Sequence, residues 1–137
     1  MDYRLELVLV PVSDVDRAKA FYEQAGFDLD VDHQAGESFR VVQLTPQGSS
    51  CSIAVGVGIT DAEPGQARGL HLVVDDIVAA RAELAGRGIA VNEIRHMRDG
   101  AWQPGVDPDH ADYGSFADFV DPDGNTWVLQ EVHYGSA

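Results

Sequence analysis

Two apolar runs, Leu5 to Val12 and Leu70 to Val74, each lead into a stretch with helical spacing. Nearly unbroken apolar runs of this length suit strands covered on both faces. After the first run, Val15, Ala18, Tyr22 and Ala25 recur three or four residues apart, which predicts a helix with one buried stripe. Ile77, Ala80 and Leu84 do the same after the second. Ser13, with Asp16 three residues on, resembles a capping box, and Asp75 suits an N-cap in the second copy. Gly26 and Gly88 predict the two helix stops. Further strands are expected over 27–31, 39–44 and 50–55, then over 89–94, 115–120 and 126–132. Gln47-Gly48 and Asp123-Gly124 read as hairpin turns. Residues 56–69, rich in Gly, Asp, Glu and Pro, read as a linker. The polar stretch 96–114 reads as one long insert, either a lid or a disordered segment.

The two halves are copies of one unit. Displaced by 62 positions, Ala18 falls on Ala80, Lys19 on Arg81, Ala20 on Ala82, Gly26 on Gly88 and Phe27 on Ile89. Self-similarity at a fixed offset marks one supersecondary module used twice. The expected organisation is a single α+β domain spanning 1–137. Module one covers about 4–56, a linker 57–68 and module two about 69–133.

Composition narrows the partners. The chain has 137 residues, 45% of them hydrophobic, enough for a buried core. Its net charge of −14 disfavours nucleic acid and anionic membranes, while it is compatible with a cationic ligand or with plain solubility. There is no apolar run of the ~18–20 residues a bilayer requires, and Met1-Asp2-Tyr3-Arg4 does not begin an export signal, so the expected location is the cytoplasm. Asp28, Asp30 and Asp32 alternate with Leu29 and Val31, which predicts one solvated strand face. Cys51 is the single cysteine; it has no internal disulfide partner and reads as a buried, inert thiol. The glycines at 56, 58, 65 and 69 do not form a phosphate-binding loop.

The segment 12–22, Val-Ser-Asp-Val-Asp-Arg-Ala-Lys-Ala-Phe-Tyr, with Gly26-Phe27 after it, resembles the vicinal oxygen chelate superfamily. That group includes glyoxalase I, bleomycin-resistance proteins, extradiol dioxygenases and fosfomycin-resistance enzymes. Val73-Val74-Asp75-Asp76-Ile77 is similar to its second-module signature, and Phe119 to Asn125 to its closing hairpin. The resemblance covers nearly the whole chain. It implies two βαβββ modules whose eight strands form a curved mixed sheet around a central cup, with the helices outside. It also implies a homodimer, since members often dimerise. The superfamily hosts several chemistries, so the fold does not fix the function.

Metal-dependent members hold their ion with four cup-facing side chains, usually His and Glu. By position these places fall here on Leu7, Gly69, Val128 and either Ile53 or Ala54. None supplies the N, O or S side-chain donor that a divalent cation requires. The expectation is therefore no metal ligand at these places and no cofactor, with a rebuilt divalent-metal site as the alternative. His96 and His110 in the insert could reach inward, but Asp107, Asp109 and Asp112 beside His110 match no familiar metal spacing.

One residue stands out for chemistry. Leu70, Leu72 and Val74 should face the helix, which turns His71 into the cup. There its imidazole would bind a ligand or act as acid and base; a purely structural bond within the sheet is the competing reading. Gln130 is expected on the face of Val128 and suits a ligand carbonyl. Arg40 and Gln43 lie on opposite faces of one strand, so only one can line the cup. Trp102 and Tyr113 would cover a planar ligand, with His110 nearby, whereas Trp127 reads as core. Two functions follow. One is a binding protein that sequesters a natural product or drug. The alternative is a lyase, isomerase or dioxygenase acting on a dicarbonyl or aromatic substrate, with or without a metal.

Overall fold

The computed structural model describes residues 1–133. Among them lie nine strands and two helices. In unit one, β1 (Leu7–Leu9), α1 (Val15–Gln24), β2 (Asp28–Gln34), β3 (Arg40–Thr45) and β4 (Ser52–Val57) build a sheet ordered β1-β4-β3-β2. In unit two, β5 (Leu70–Val74), α2 (Ile77–Gly86), β6 (Arg95–Arg98), β7 (Ala101–Pro104), β8 (Ser115–Val120) and β9 (Thr126–Glu131) build a sheet ordered β5-β9-β8-β6-β7. Unit one comprises 1–67 together with the turn Asp121–Asn125, and unit two comprises the remaining residues. The α+β class is as expected, but the strands form two sheets and number nine rather than eight.

In each unit the first strand pairs in parallel with the last, β1 with β4 and β5 with β9, and the other pairings are antiparallel. α1 covers one face of its sheet. Val15, Ala18 and Tyr22 are buried there with Val42, Leu44 and Val55, the side chains that alternation sends to that face. In unit two, Ile77 and Leu84 of α2 are buried with Ala117, Phe119, Trp127 and Leu129. Phe119 and Trp127 stack with centroids 5.9 Å apart. Trp127 is thus core, as its spacing indicates.

The helices begin one residue later than the capping pattern suggests. Asp14 and Asp76 are the N-caps, accepting from the amides of Arg17 and Ala79. Such a cap contributes about 1 kcal/mol. Ser13 is engaged elsewhere: its amide and its hydroxyl both donate to Asp123. The 62-residue offset survives in both caps and in Gly26 and Gly88, which hold φ of +100° and +87° beyond their helices.

Three local expectations fail for identifiable reasons. No strand forms over 89–94, because its polar backbone atoms have other partners. Asn92 exchanges hydrogen bonds with Asp118 through its amide and its side-chain carbonyl, and Arg81 donates to the carbonyls of Val91 and Asn92. The insert 96–114 is not one long loop. Its first part is the β6/β7 hairpin, turned at Asp99 and Gly100 with φ of +53° and +77°, the geometry of a tight hairpin turn. Its polar residues hide the apolar alternation by which strands are usually recognised. Finally, Asp28, Asp30 and Asp32 do not share one wet face, because the register shifts between Leu29 and Val31. Asp30 bonds Thr45, whereas Asp32 meets Arg40 and Lys19. Cys51 is half-buried just ahead of β4. No helix among the described residues is long and apolar enough to cross a membrane.

Candidate ligand-binding face

The sheet of unit two has one face against α2 and one open face. Registers identify the open side. His71 pairs with Val128, and Val128 with Asp118; Val73 pairs with Gln130, and Gln130 with Phe116; Phe116 pairs with Arg95. Paired residues share a face, so these seven side chains lie together. β6/β7 pairing sets Met97 opposite Trp102 on the same side.

Aromatic and polar parts alternate across this face. Trp102 meets Phe116 edge-on with centroids 5.4 Å apart, and the Arg95 guanidinium lies 4.6 Å from the Trp102 ring centre. Both nitrogens at the end of Arg95 donate to Asp118, at 2.8 and 3.3 Å, and Asn92 donates to the same carboxylate. A two-point pair of this kind fixes the guanidinium plane, and a fixed plane keeps the Trp102 ring in place. Trp102 remains 50% exposed, a flat apolar surface facing solvent.

His71 stands at the other edge. Its Nδ1 is 2.6 Å from the Gly69 carbonyl. A carbonyl only accepts, so Nδ1 carries the proton, and in the neutral ring Nε2 has a lone pair to offer. Gln130 Nε2 donates to the Tyr113 carbonyl, which leaves its own carbonyl end directed by that bond. The face of unit one away from α1 is simpler. Leu7 and Leu9 lie on it, register neighbours of Ser52 and Ala54, with Gln43 and Val31 further across.

The candidate residues therefore divide. His71, Gln130 and Trp102 share the unit-two face, and Tyr113 adjoins it through its backbone. Arg40 is not on an open face: it lies on the α1 side of its sheet, bridging Asp16 at 2.8 Å and Asp32 at 2.9 Å. Hydrogen bonds from Arg40 and then Lys19 hold the Asp32 carboxyl well below the usual range, and those to Asp32 and Asp16 raise Arg40 in turn. Of that strand's two polar candidates, Gln43 is the one on the open side. His96 is buried against the Gly105 carbonyl. His110 lies beside Glu131, whose position in β9 alternates away from the open face. Arg95, Phe116 and Asp118 were not singled out in the sequence. The alternation Phe116, Asp118, Val120 was legible, but the strand that brings Arg95 beside them was not.

The four positions at which the resemblance implies metal ligands carry no donors. Leu7 and the buried Ala54 are on the unit-one face away from α1, Val128 is on the unit-two open face, and Gly69, at φ +73°, has no side chain. The implied ion does not fit these residues.

A model of the Glyoxalase/Bleomycin resistance protein/Dioxygenase superfamily matches residues 4–129. The chain belongs to this superfamily. Among solved structures it is similar to TnmS3, an antibiotic binding protein from Streptomyces sp. CB03234, at 37% identity and a TM-score of 0.73, covering 96% of this chain and 97% of that one. A glyoxalase/bleomycin resistance protein from the same Streptomyces is 38% identical, with a TM-score of 0.69 over 93% of this chain and 99% of its own. The uncharacterized protein YetH of Bacillus subtilis (strain 168) is 25% identical over 127 residues, 90% of this chain and 94% of YetH.

Proposed function

We propose that this member of the superfamily binds and sequesters a small, flat, partly aromatic molecule, of the natural-product or drug kind, on the open face of its second sheet. The carrying observation is the Trp102/Phe116 ledge, held by the Arg95–Asp118 pair and flanked by His71 and Gln130. Such a surface offers stacking area together with a few fixed polar groups, the usual composition of a small-molecule site. The donor-free residues at the implied metal positions support binding without chelation there. The similarity to an antibiotic binding protein supports the same reading. A net charge of −14 favours cationic guests over anionic ones.

A second reading keeps His71 as a proton acceptor in an enzyme. It is favoured by the Gly69 carbonyl, which holds the proton on Nδ1 and exposes Nε2.

Fluorescence titration tests both. Trp102 is exposed and Trp127 is 2% exposed, so quenching by a bound polycyclic compound reports mainly on Trp102. A panel of cationic and neutral polycyclic aromatics should contain compounds that quench and raise the melting temperature. Trp102→Ala lacks the exposed reporter and keeps only the buried Trp127, so calorimetry follows that variant; affinity should fall about tenfold or more, since a stacked base or ring is worth ~1–3 kcal/mol. Equal affinity in Trp102→Ala would remove this face as the site. Mass spectrometry of the recovered compound then separates the readings. An unchanged guest fits sequestration; a changed one, with turnover lost in His71→Ala, fits the enzyme.

A further inference from the structure

The end of β9 holds a cluster on the side away from the open face. Donor atoms of His110, Glu131 and His133 all lie within 4.8 Å of one another. Glu131 Oε1 is 3.2 Å from His110 Nδ1 and 3.5 Å from His133 Nε2. Ligands ~2.0–2.2 Å from a tetrahedral ion stand roughly 3.4 Å apart, so these spacings already match two edges of such a shell.

We propose that His110, Glu131 and His133 bind one divalent transition-metal ion of the zinc type. Three features set the site apart from a chance grouping of polar side chains. Glu131 is buried, its side chain 3% exposed, and its second oxygen accepts the Ile77 amide at the start of α2, so the carboxylate presents a fixed oxygen. Asp112 Oδ1 accepts from both the backbone amide and Nδ1 of His133, at 2.8 and 2.9 Å. A carboxylate behind a ligating histidine selects the tautomer that leaves Nε2 for the metal. The loop that carries His110 is also tied to the strand, because the Tyr113 amide donates to the Glu131 carbonyl. The set of two nitrogens and one oxygen suits zinc, cobalt or nickel rather than calcium or magnesium. His110 is 58% exposed, so a fourth position opens to water.

This place is distinct from the superfamily's implied one. Val128 would carry that carboxylate, and Glu131 lies three residues later on the opposite face of the strand. The inference does not depend on the proposed ligand face.

The test uses the full chain without a polyhistidine tag, stripped with chelator and titrated with Co²⁺ and Zn²⁺. One equivalent should bind with micromolar or tighter affinity, Co²⁺ should give the intense visible bands of a tetrahedral site, and Zn²⁺ should raise the melting temperature. His110→Ala and His133→Ala should each weaken binding by at least about 100-fold, and Asp112→Asn by about tenfold. Metal-free melting temperatures measured alongside separate lost ligation from lost folding. Should a variant misfold, the wild-type Co²⁺ spectrum still decides. No binding, weak octahedral bands, or unaltered affinity in both folded histidine variants would overturn the assignment.

Discussion

The motif around Asp121 makes a quantitative test possible, because its polar residues form a buried hydrogen-bond network. Asp121 is 3% exposed and its carboxylate accepts four hydrogen bonds: the amides of Asp123 and Asn125 on one oxygen, and Tyr22 Oη at 2.7 Å and Asn125 Nδ2 at 2.8 Å on the other. Tyr22 is fully buried, its ring between Phe21 and Phe27 with centroids 5.1 and 5.3 Å away. Tyr22→Phe keeps that packing and deletes only the hydroxyl. A hydrogen bond to a charged group is worth ~1.5–3 kcal/mol, and Asn125 still serves the oxygen that loses the Tyr22 hydroxyl, so we expect a loss of about 2 kcal/mol. Asp121→Asn is worse. Whichever way the amide is turned, its NH₂ meets a donor, either Asn125 Nδ2 or two backbone amides. We expect about 3–4 kcal/mol there, from two lost bonds to a buried charge. Urea unfolding followed by circular dichroism gives both numbers. The double variant should cost less than the sum of the two, because both delete the same bond. A Tyr22→Phe loss below about 0.5 kcal/mol, within the range of ordinary surface substitutions, would refute this account of the buried network.

Three further outcomes are expected. Asp32 has its carboxyl lowered by Arg40 and then Lys19, so its stabilisation is complete above the unfolded value near ~4 and is lost as pH falls through the lower folded value. Asp32→Asn should therefore cost about 1 kcal/mol at pH 6 and progressively less in acid, in melts run across that range; a cost that grows in acid would contradict this. Gly56→Ala should destabilise by about 2 kcal/mol or more, since its new methyl would sit 2.0 Å from the Arg40 carbonyl across β3 and β4; thermal melting measures it, and an unaltered midpoint would show that the strands part freely. Arg95→Ala should loosen Trp102, seen as a red-shifted, more quenchable emission, because the ring loses the guanidinium 4.6 Å away; emission identical to wild type would show that Phe116 alone holds it.

Much of the fold was legible in the chain itself. The 62-residue repeat, the helix stripes at Val15, Ala18 and Tyr22, the stops at Gly26 and Gly88, and strands β5 and β8 follow from local periodicity and from the one residue that tolerates positive φ at a helix end. So did the faces of His71, Gln130 and Trp127, because alternation within a strand is a local property. What the chain did not reveal depends on partners distant in sequence. Asp14, not Ser13, caps α1, and Ser13 instead bonds Asp123, 110 residues away. Arg95 reaches Asp118 and Arg40 reaches Asp32 because sheet register sets Arg95 opposite Phe116 and Arg40 opposite Gln34, which brings each carboxylate two residues along the neighbouring strand on the same face. His110, Glu131 and His133 converge because the turns after β7 fold back on β9, and a three-dimensional approach of that kind leaves no regular spacing in the sequence.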